Sequence, residues 1–301
     1  MHTVMSNQKK GKKVIVMGSV HGNERIGAEI LKKLKKILTK ENIKGEIHLI
    51  LGNPQAYKRN KRFIDEDLNR LFGENHHKLY KSANPNYEQN RAMAIGDIIK
   101  DTDFLLDIHS TIKPSVPFLY MENDAKHRNL APIFGTKFVV MQNKKFRPQE
   151  LTSSTDSFVD NHGGIGITYE SGWYKDFSGL DTVFGNVLKF LNAVGSIDMA
   201  GRTAHRKSAK TKYLEVYDKI IPQKNMFTFS KDYENFDFVK AGSSLAKDGD
   251  TIVKVKMDSY IIFPKKEPKK GITACYLAHQ IGHIFGRKKE GNRILRLMAT
   301  L

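Results

Sequence analysis

Val14-Ile15-Val16-Met17-Gly18-Ser19-Val20-His21-Gly22-Asn23-Glu24 is the stretch on which the reading of this chain turns. Its first part, Val14–Val20, is an apolar run about seven residues long, the pattern of a strand buried on both faces. Beyond it Ile26, Ile30, Leu31, Leu34, Ile37 and Leu38 recur at helical spacing, with lysines filling the other face. A buried strand, a turn and an amphipathic helix therefore follow one another. His21 and Glu24, two side chains able to ligate a metal, stand in the turn.

The alternation continues outward from there. Glu46–Leu51 reads as a strand, Asn53–Phe72 as a loop rich in Arg, Asn and Asp, and Tyr87–Lys100 as a helix. Phe104–Ile108, Pro117–Tyr120, Lys137–Met141 and Ile165–Tyr169 read as further strands, and Thr182–Val194 returns to helical spacing. Strands alternating with helices predict an α/β fold with a mixed, mainly parallel sheet flanked by helices. Around Gly195–Lys212 the chain turns polar and basic, as a linker would. Short strand-like pieces follow at Tyr213–Val216, Met226–Phe229, Thr251–Val255 and Tyr260–Phe263, separated by turn signals such as Lys247-Asp248-Gly249-Asp250. The expected division is an α/β domain over 1–198 and a smaller β-rich C-terminal domain over 199–301.

Composition narrows the function classes. The 301 residues can bury a substantial core. No run reaches the roughly 18 apolar residues that a membrane span needs. The first apolar run leads straight into the His21–Glu24 turn, so cleavage of a signal peptide there would remove the pair, and no export signal is read. Cys275 is the only cysteine, which excludes an intramolecular disulfide and a cysteine zinc cluster. These features together predict a cytoplasmic protein without a membrane partner. The formal net charge is +18, and residues 201–301 hold 21 Lys+Arg against 10 Asp+Glu, so 21 − 10 = +11 of it. Such a field draws in anions without specifying which.

In open α/β sheets ligands bind at the carboxyl ends of the strands. His21 and Glu24 follow the first strand, His109 ends Phe104-Leu-Leu-Asp-Ile-His109, and Glu170 ends Ile165-Gly-Ile-Thr-Tyr-Glu170. Between them lies Arg62-Phe-Ile-Asp-Glu-Asp-Leu-Asn69-Arg70. Each member alone has an ordinary reading: a core histidine, a structural carboxylate, a solvated arginine. What carries weight is that all fall where one sheet gathers them. A zinc ion held by His21, Glu24 and His109 would bring the pKa of water to about 7. Glu170 would take the proton and pass it to a leaving amine. One arginine would stabilise an oxyanion, and another, with an asparagine, would grip a carboxylate. That set hydrolyses an amide beside a carboxylate.

In this order the motifs resemble those of the succinylglutamate desuccinylase/aspartoacylase family, within the zinc carboxypeptidase superfamily. They are His21-Gly-Asn-Glu24, Asn53-Pro54 with Arg62, Asp67-Leu-Asn69-Arg70, Asp107-Ile-His109 and Tyr169-Glu170-Ser-Gly172. The resemblance implies a zinc-carboxypeptidase-like sheet with a C-terminal β domain near the active-site mouth. It also implies one zinc per chain, on His21, Glu24 and His109. By the same resemblance Glu170 is the general base, Arg62 polarises the carbonyl, and Asn69 and Arg70 bind the substrate carboxylate. Tyr276 matches a tyrosine that the family brings to the site from its C-terminal domain. The implied partner is a small anionic N-acyl substrate.

Two departures bear on that substrate. Aspartoacylases carry an arginine shortly before the catalytic glutamate; this chain has Ser153-Ser154-Thr155-Asp156-Ser157-Phe158 there. They also carry Thr-Thr-Ser-Asn after the third ligand's aspartate, where this chain has Ser110-Thr111-Ile112-Lys113-Pro114. The first argues against acetylaspartate, because in aspartoacylases that arginine reads the side-chain carboxylate of the substrate. Lys113, Lys144, Lys145 and Arg147 are candidate holders of an acidic substrate, or plain surface charge. On a helix His279 and His283, four apart, could bind a metal, but the Glu of a His-Glu-x-x-His motif is absent and Gly282 weakens a helical reading. The alternative within enzymes is a zinc carboxypeptidase-like peptidase acting on short or cell-wall peptides. The alternative outside them is an anion or nucleic-acid binder using the basic C-terminal region, for which no nucleic-acid motif is present.

Overall fold

The structure is a computed structural model that describes residues 2–7, 10–143, 145–198 and 210–282. Its strands are β1 His2–Ser6, β2 Lys13–Gly18, β3 Glu46–Leu51, β4 Phe104–Thr111, β5 Phe118–Glu122, β6 Phe138–Gln142 and β7 Ile165–Trp173, followed by β8 Lys212–Ile220, β9 Phe227–Phe229, β10 Phe238–Val239, β11 Ser244–Asp248, β12 Thr251–Lys254, β13 Ser259–Ile262 and β14 Cys275–Ile281. The helices are α1 Ile26–Ile37, α2 Pro54–Lys58, α3 His76–Leu79, α4 Tyr87–Ile99, α5 Ala125–Phe134, α6 Gln149–Thr152, α7 Thr155–Asn161 and α8 Leu180–Ala193.

An 11-stranded sheet runs in the order β1-β3-β2-β4-β7-β5-β6-β8-β14-β13-β10. Its centre, β3-β2-β4-β7, is parallel. The expected α/β architecture is thus the observed one. A βαβ crossover returns each strand in the same direction, so the ends of β2, β4 and β7 share one edge. The C-terminal strands are not all separate from this sheet. β8 pairs parallel with β6, and β14, β13 and β10 follow antiparallel. Among the described residues, only β9, β11 and β12 form a small antiparallel sheet of their own. Most of the linker expected between the two parts, 199–209, lies outside the described residues.

One face of the central strands packs on helices. Val16, Leu106, Ile108, Ile167 and Tyr169 join Ile30, Leu34, Val187 and Phe190 of α1 and α8 in the largest apolar cluster. The opposite face is divided. Ile15, Met17, Leu105 and Phe158 lie in one cluster, and Phe118, Tyr120, Val140 and Tyr276 in another. Between these two patches the same strands carry polar groups.

Two segments differ from expectation. His2–Ser6, part of a polar and basic N-terminal stretch in which no strand was read, is an edge strand antiparallel to β3, its hydrogen bonds compensating for weak apolar content. Leu277–Ile281 belongs to a strand rather than a helix, because β14 is paired on both sides by β13 and β8. His279 is therefore on a strand, and His283 is outside the described residues. Cys275 is buried, and that burial pushes its thiol up to about 12. Among the described residues no helix is long and apolar enough to cross a membrane.

Candidate active site

The first turn is built by a strained serine and a close contact. Ser19, just past β2, has φ 53°, a left-handed conformation that a non-glycine residue adopts at a cost. Its hydroxyl donates to the Glu24 carbonyl at 2.8 Å, and Glu24 N donates to His21 O at 3.0 Å, which closes the turn. Gly22 lies against α2, where a Cβ would stand 2.1 Å from the Ala56 carbonyl carbon. Gly22 N also donates to Arg62 O at 3.1 Å. The His21–Glu24 turn and the Arg62 loop are thereby fastened together.

Glu88 holds that loop from behind. Its fully buried carboxylate accepts from Asn53 Nδ2 at 2.9 Å, Ile64 N at 2.7 Å and Asp65 N at 2.9 Å. Asp67, at the far end of the loop, accepts from Asn69 N at 3.0 Å and caps the short turn Leu68–Arg70. Parallel pairing places His109 opposite Glu170. β2, β4 and β7 thus bring His21, Glu24, His109 and Glu170 to one edge of the sheet, with the Arg62 loop beside them.

The three expected ligands are buried, with one ligating atom from each within 4.8 Å of the others. His21 Nδ1 is 2.8 Å from Glu24 Oε1, and His109 Nδ1 is 3.0 Å from Glu24 Oε2. Each ring turns its other nitrogen to a carboxylate. His21 Nε2 meets Asp67 at 2.8 Å, and His109 Nε2 meets Asp107 at 3.1 Å. Two of these approaches lack hydrogen-bond alignment, which leaves His21 Nδ1 and His109 Nε2 without a hydrogen-bond partner. Ligands about 2.1 Å from one tetrahedral ion stand about 3.4 Å apart, so this spacing and donor set fit zinc. Carboxylates on the outer nitrogens are the partners that metal-ligating histidines normally have.

Charge is concentrated here. Burial alone would raise the Glu24 carboxyl, but His21 and His109 hold it well below the usual range. Burial would lower the His109 imidazolium, but Asp107 and Glu24 hold it well above its ordinary value. Asp67, despite burial, is kept far below by His21 and then Arg62. Arg62, about a third exposed (31%), lies 3.2 Å from both Glu24 Oε1 and Asp67 Oδ2. Glu170 differs from these paired carboxylates. It is buried, its Oε2 has no partner, and burial pushes it up to about 8, with His109 pulling the other way.

The remaining expected residues rim this centre. Asn69 is buried, and its Oδ1 accepts from Thr155 N at 3.2 Å. Arg70 is exposed and donates to Asn69 O at 2.7 Å. Tyr276 is buried on β14, its phenol raised by burial and then by the charge of Glu150, with Arg70 opposing. Lys113 is tied to Asp232, and Arg147 to Glu122 at 2.6 Å; Lys145 is exposed, and Lys144 lies outside the described residues.

Several contributors had no role assigned from the sequence. Asp107 stood in a quoted motif, and its place two residues before His109 puts both on one strand face. Asp67 also stood in a motif, and nothing local signalled its contact with His21. Glu88 had no signal, since its partners are distant in sequence. Lys265 approaches from the C-terminal region. Its ammonium is lowered by partial desolvation and then by Arg70 and Arg62.

A buried His-Glu-His set at the carboxyl edge of a mixed α/β sheet defines a metal-site hydrolase class. The profile of the succinylglutamate desuccinylase/aspartoacylase catalytic domain matches residues 10–187, more than half of the chain. A succinylglutamate desuccinylase of Burkholderia thailandensis is 26% identical over 284 residues, covering 88% of this chain and 78% of that protein. The solved succinylglutamate desuccinylase of Vibrio parahaemolyticus superposes with a TM-score of 0.73 at 21% identity, covering 91% of this chain and 83% of that one. The succinylglutamate desuccinylase/aspartoacylase structure from Rhodobacter sphaeroides gives 0.71 at 21% identity, covering 93% and 89%. The chain belongs to the succinylglutamate desuccinylase/aspartoacylase family. It is a deacylase of that type with a zinc-type His-Glu-His site.

Proposed function

We propose that the chain is a zinc-dependent amidohydrolase that removes the acyl group from a small N-acyl amino acid. The observation that carries this reading is the pairing of a convergent ligand set with a buried Glu170 carboxylate, its Oε2 unpartnered, directly across the β4–β7 register from His109. His21, Glu24 and His109 would hold the ion, which supplies Lewis acidity and makes water a stronger acid. Glu170 Oε2 accepts the proton of the attacking water and returns it to the departing amine nitrogen. Arg62 sets a positive charge at the edge of the ligand set, where it stabilises charge growing on the carbonyl oxygen. Arg70 and the amide nitrogen of Asn69 bind the substrate carboxylate, since the Asn69 oxygen is already engaged by Thr155. Tyr276 closes the carboxylate side.

The test uses metal content and turnover together. Purified protein should hold about one zinc per chain, and His109→Ala should lose most of it. Glu170→Gln should keep the zinc and lose about 10²- to 10⁴-fold in kcat. Unchanged zinc in the first variant, or full turnover in the second, overturns the corresponding role.

A further inference from the structure

Beside the metal site, on the same sheet face, lies a second group of buried polar atoms that the reaction above does not use. Asp156, Gln142 and Tyr120 are each more than nine-tenths buried; Asp156 Oδ1 and Gln142 Oε1 have no hydrogen-bond partner, while the Tyr120 phenol meets the Gln142 side chain and the Asp156 carboxylate meets Ser154. Buried polar atoms in folded proteins are nearly always paired, so two orphaned acceptor oxygens in one group call for an explanation.

Their placement is fixed by register. Tyr120 pairs with Thr168, and Phe118 pairs with Glu170, so Tyr120 shares the Glu170 face one step further along the strand. Gln142 follows on β6, with its amide nitrogen donating to Leu151 O at 2.7 Å. That bond orients the amide and leaves the oxygen turned to the group. α7 covers β7 so closely that a Cβ on Gly166 would stand 2.2 Å from the Asp156 carbonyl oxygen. The Asp156 side chain is thereby set within electrostatic reach of Tyr120 on one side and of His109 on the other.

Counting donors decides what the group lacks. Asp156 and Gln142 present acceptor oxygens; Ser154 already meets the Asp156 carboxylate, and within the group the Tyr120 hydroxyl is the donor left to share. Even if that hydroxyl turns to one of them, an acceptor remains unmet. A second carboxylate would add acceptors to a group already short of donors and place like charge beside Asp156. An ammonium or carboxamide would supply the missing N–H groups. At the other end of the site the charge is opposite, with Arg62, Arg70 and Lys265 together.

We propose that Asp156, Gln142 and Tyr120 form a side-chain subsite that selects N-acyl amino acids whose side chains end in an amine or a carboxamide, rather than in a second carboxylate. This deepens the deacylase reading and rests on it. The substrate's main-chain carboxylate lies at the cationic rim, and its side chain reaches the acceptor-rich floor. A site built to hydrogen-bond a group discriminates strongly against analogues that lack it.

The experiment compares kcat/KM of the zinc-loaded full chain on three substrates of similar length: N-acetyl-glutamate, N-acetyl-glutamine and Nα-acetyl-ornithine. The ornithine or glutamine derivative should exceed the glutamate derivative by tenfold or more. Asp156→Asn should lower kcat/KM for the ornithine derivative about tenfold, mainly through KM, while the glutamate derivative holds or improves. Tyr120→Phe, which removes one oxygen only, serves as the second variant and should narrow the same ratio. A wild-type preference for glutamate, or variants that slow all three substrates by one factor, overturns the subsite and leaves the deacylase reading standing. No hydrolysis of the three, nor of their N-succinyl counterparts, overturns both.

Discussion

β4 and β7 each have two faces with opposite duties. Leu106, Ile108, Ile167 and Tyr169 point into the helix-covered core, while Asp107, His109, Thr168 and Glu170 point to the site. Every one of these residues is buried, so burial alone does not separate them. What separates them is the period of two along the strand. The apolar face holds the strand in place through contact area. The polar face spends that rigidity on holding charges close together, an arrangement that a looser backbone would relax. Site and core are thus one object read from two sides.

The largest expected contrast comes from truncating one residue on each face. Ile108→Ala should cost about 2–5 kcal/mol of stability by denaturant unfolding, with kcat per folded molecule nearly kept. If turnover falls as steeply as stability, the two faces are not separable. Asp107→Asn should do the reverse. Unfolding should change little, while zinc affinity drops about 10- to 100-fold because the carboxylate charge at the outer nitrogen of His109 is lost. Unaltered affinity by competition with a chelator would remove Asp107 from that role.

The smallest effect expected near neutrality concerns how the helix over the site is fastened. His127 of α5 lies 2.9 Å from Asp124 and 3.1 Å from Asp160 of α7. Burial opposes its charge, but these two carboxylates raise it from 6.5 to about 10. A raised histidine stabilises fully below its unfolded value of 6.5, and that stabilisation fades as pH climbs toward about 10. The slope from one such proton is at most about 1.4 kcal/mol per pH unit between pH 7 and 8. His127→Gln should flatten the wild-type decline in that window. Parallel pH curves for the two proteins would show that the fastening does not depend on this charge.

Much of this was legible in the sequence because it is local. Val14–Val20, Glu46–Leu51 and Phe104–Ile108 announced themselves by apolar runs, and the strand ends pointed to His21, Glu24, His109 and Glu170. The parts that escaped depend on distant pairing. β1 is polar and owes its form to β3. β14 has a helical-looking histidine spacing that two neighbouring strands override. Glu88 reaches Asn53 and Ile64 from another helix, and Lys265 meets the arginines from the far end of the chain. Asp156 was noticed only as the absence of an arginine; its positive chemistry needed the buried neighbours on β5 and β6.

The pairing of β8 with β6 has a consequence for how the chain is made. β6 is wholly buried and carries Val139, Val140 and Met141, yet its outer edge has no partner until Lys212–Ile220 has been synthesised. Emerging from the ribosome, the growing polypeptide therefore passes through an interval in which a greasy strand edge is open to other molecules. The His-Glu-His residues and Glu170 all precede that interval, whereas Tyr276 and Lys265 follow it. A ribosome-bound fragment ending before β8 would be the species most in need of a chaperone.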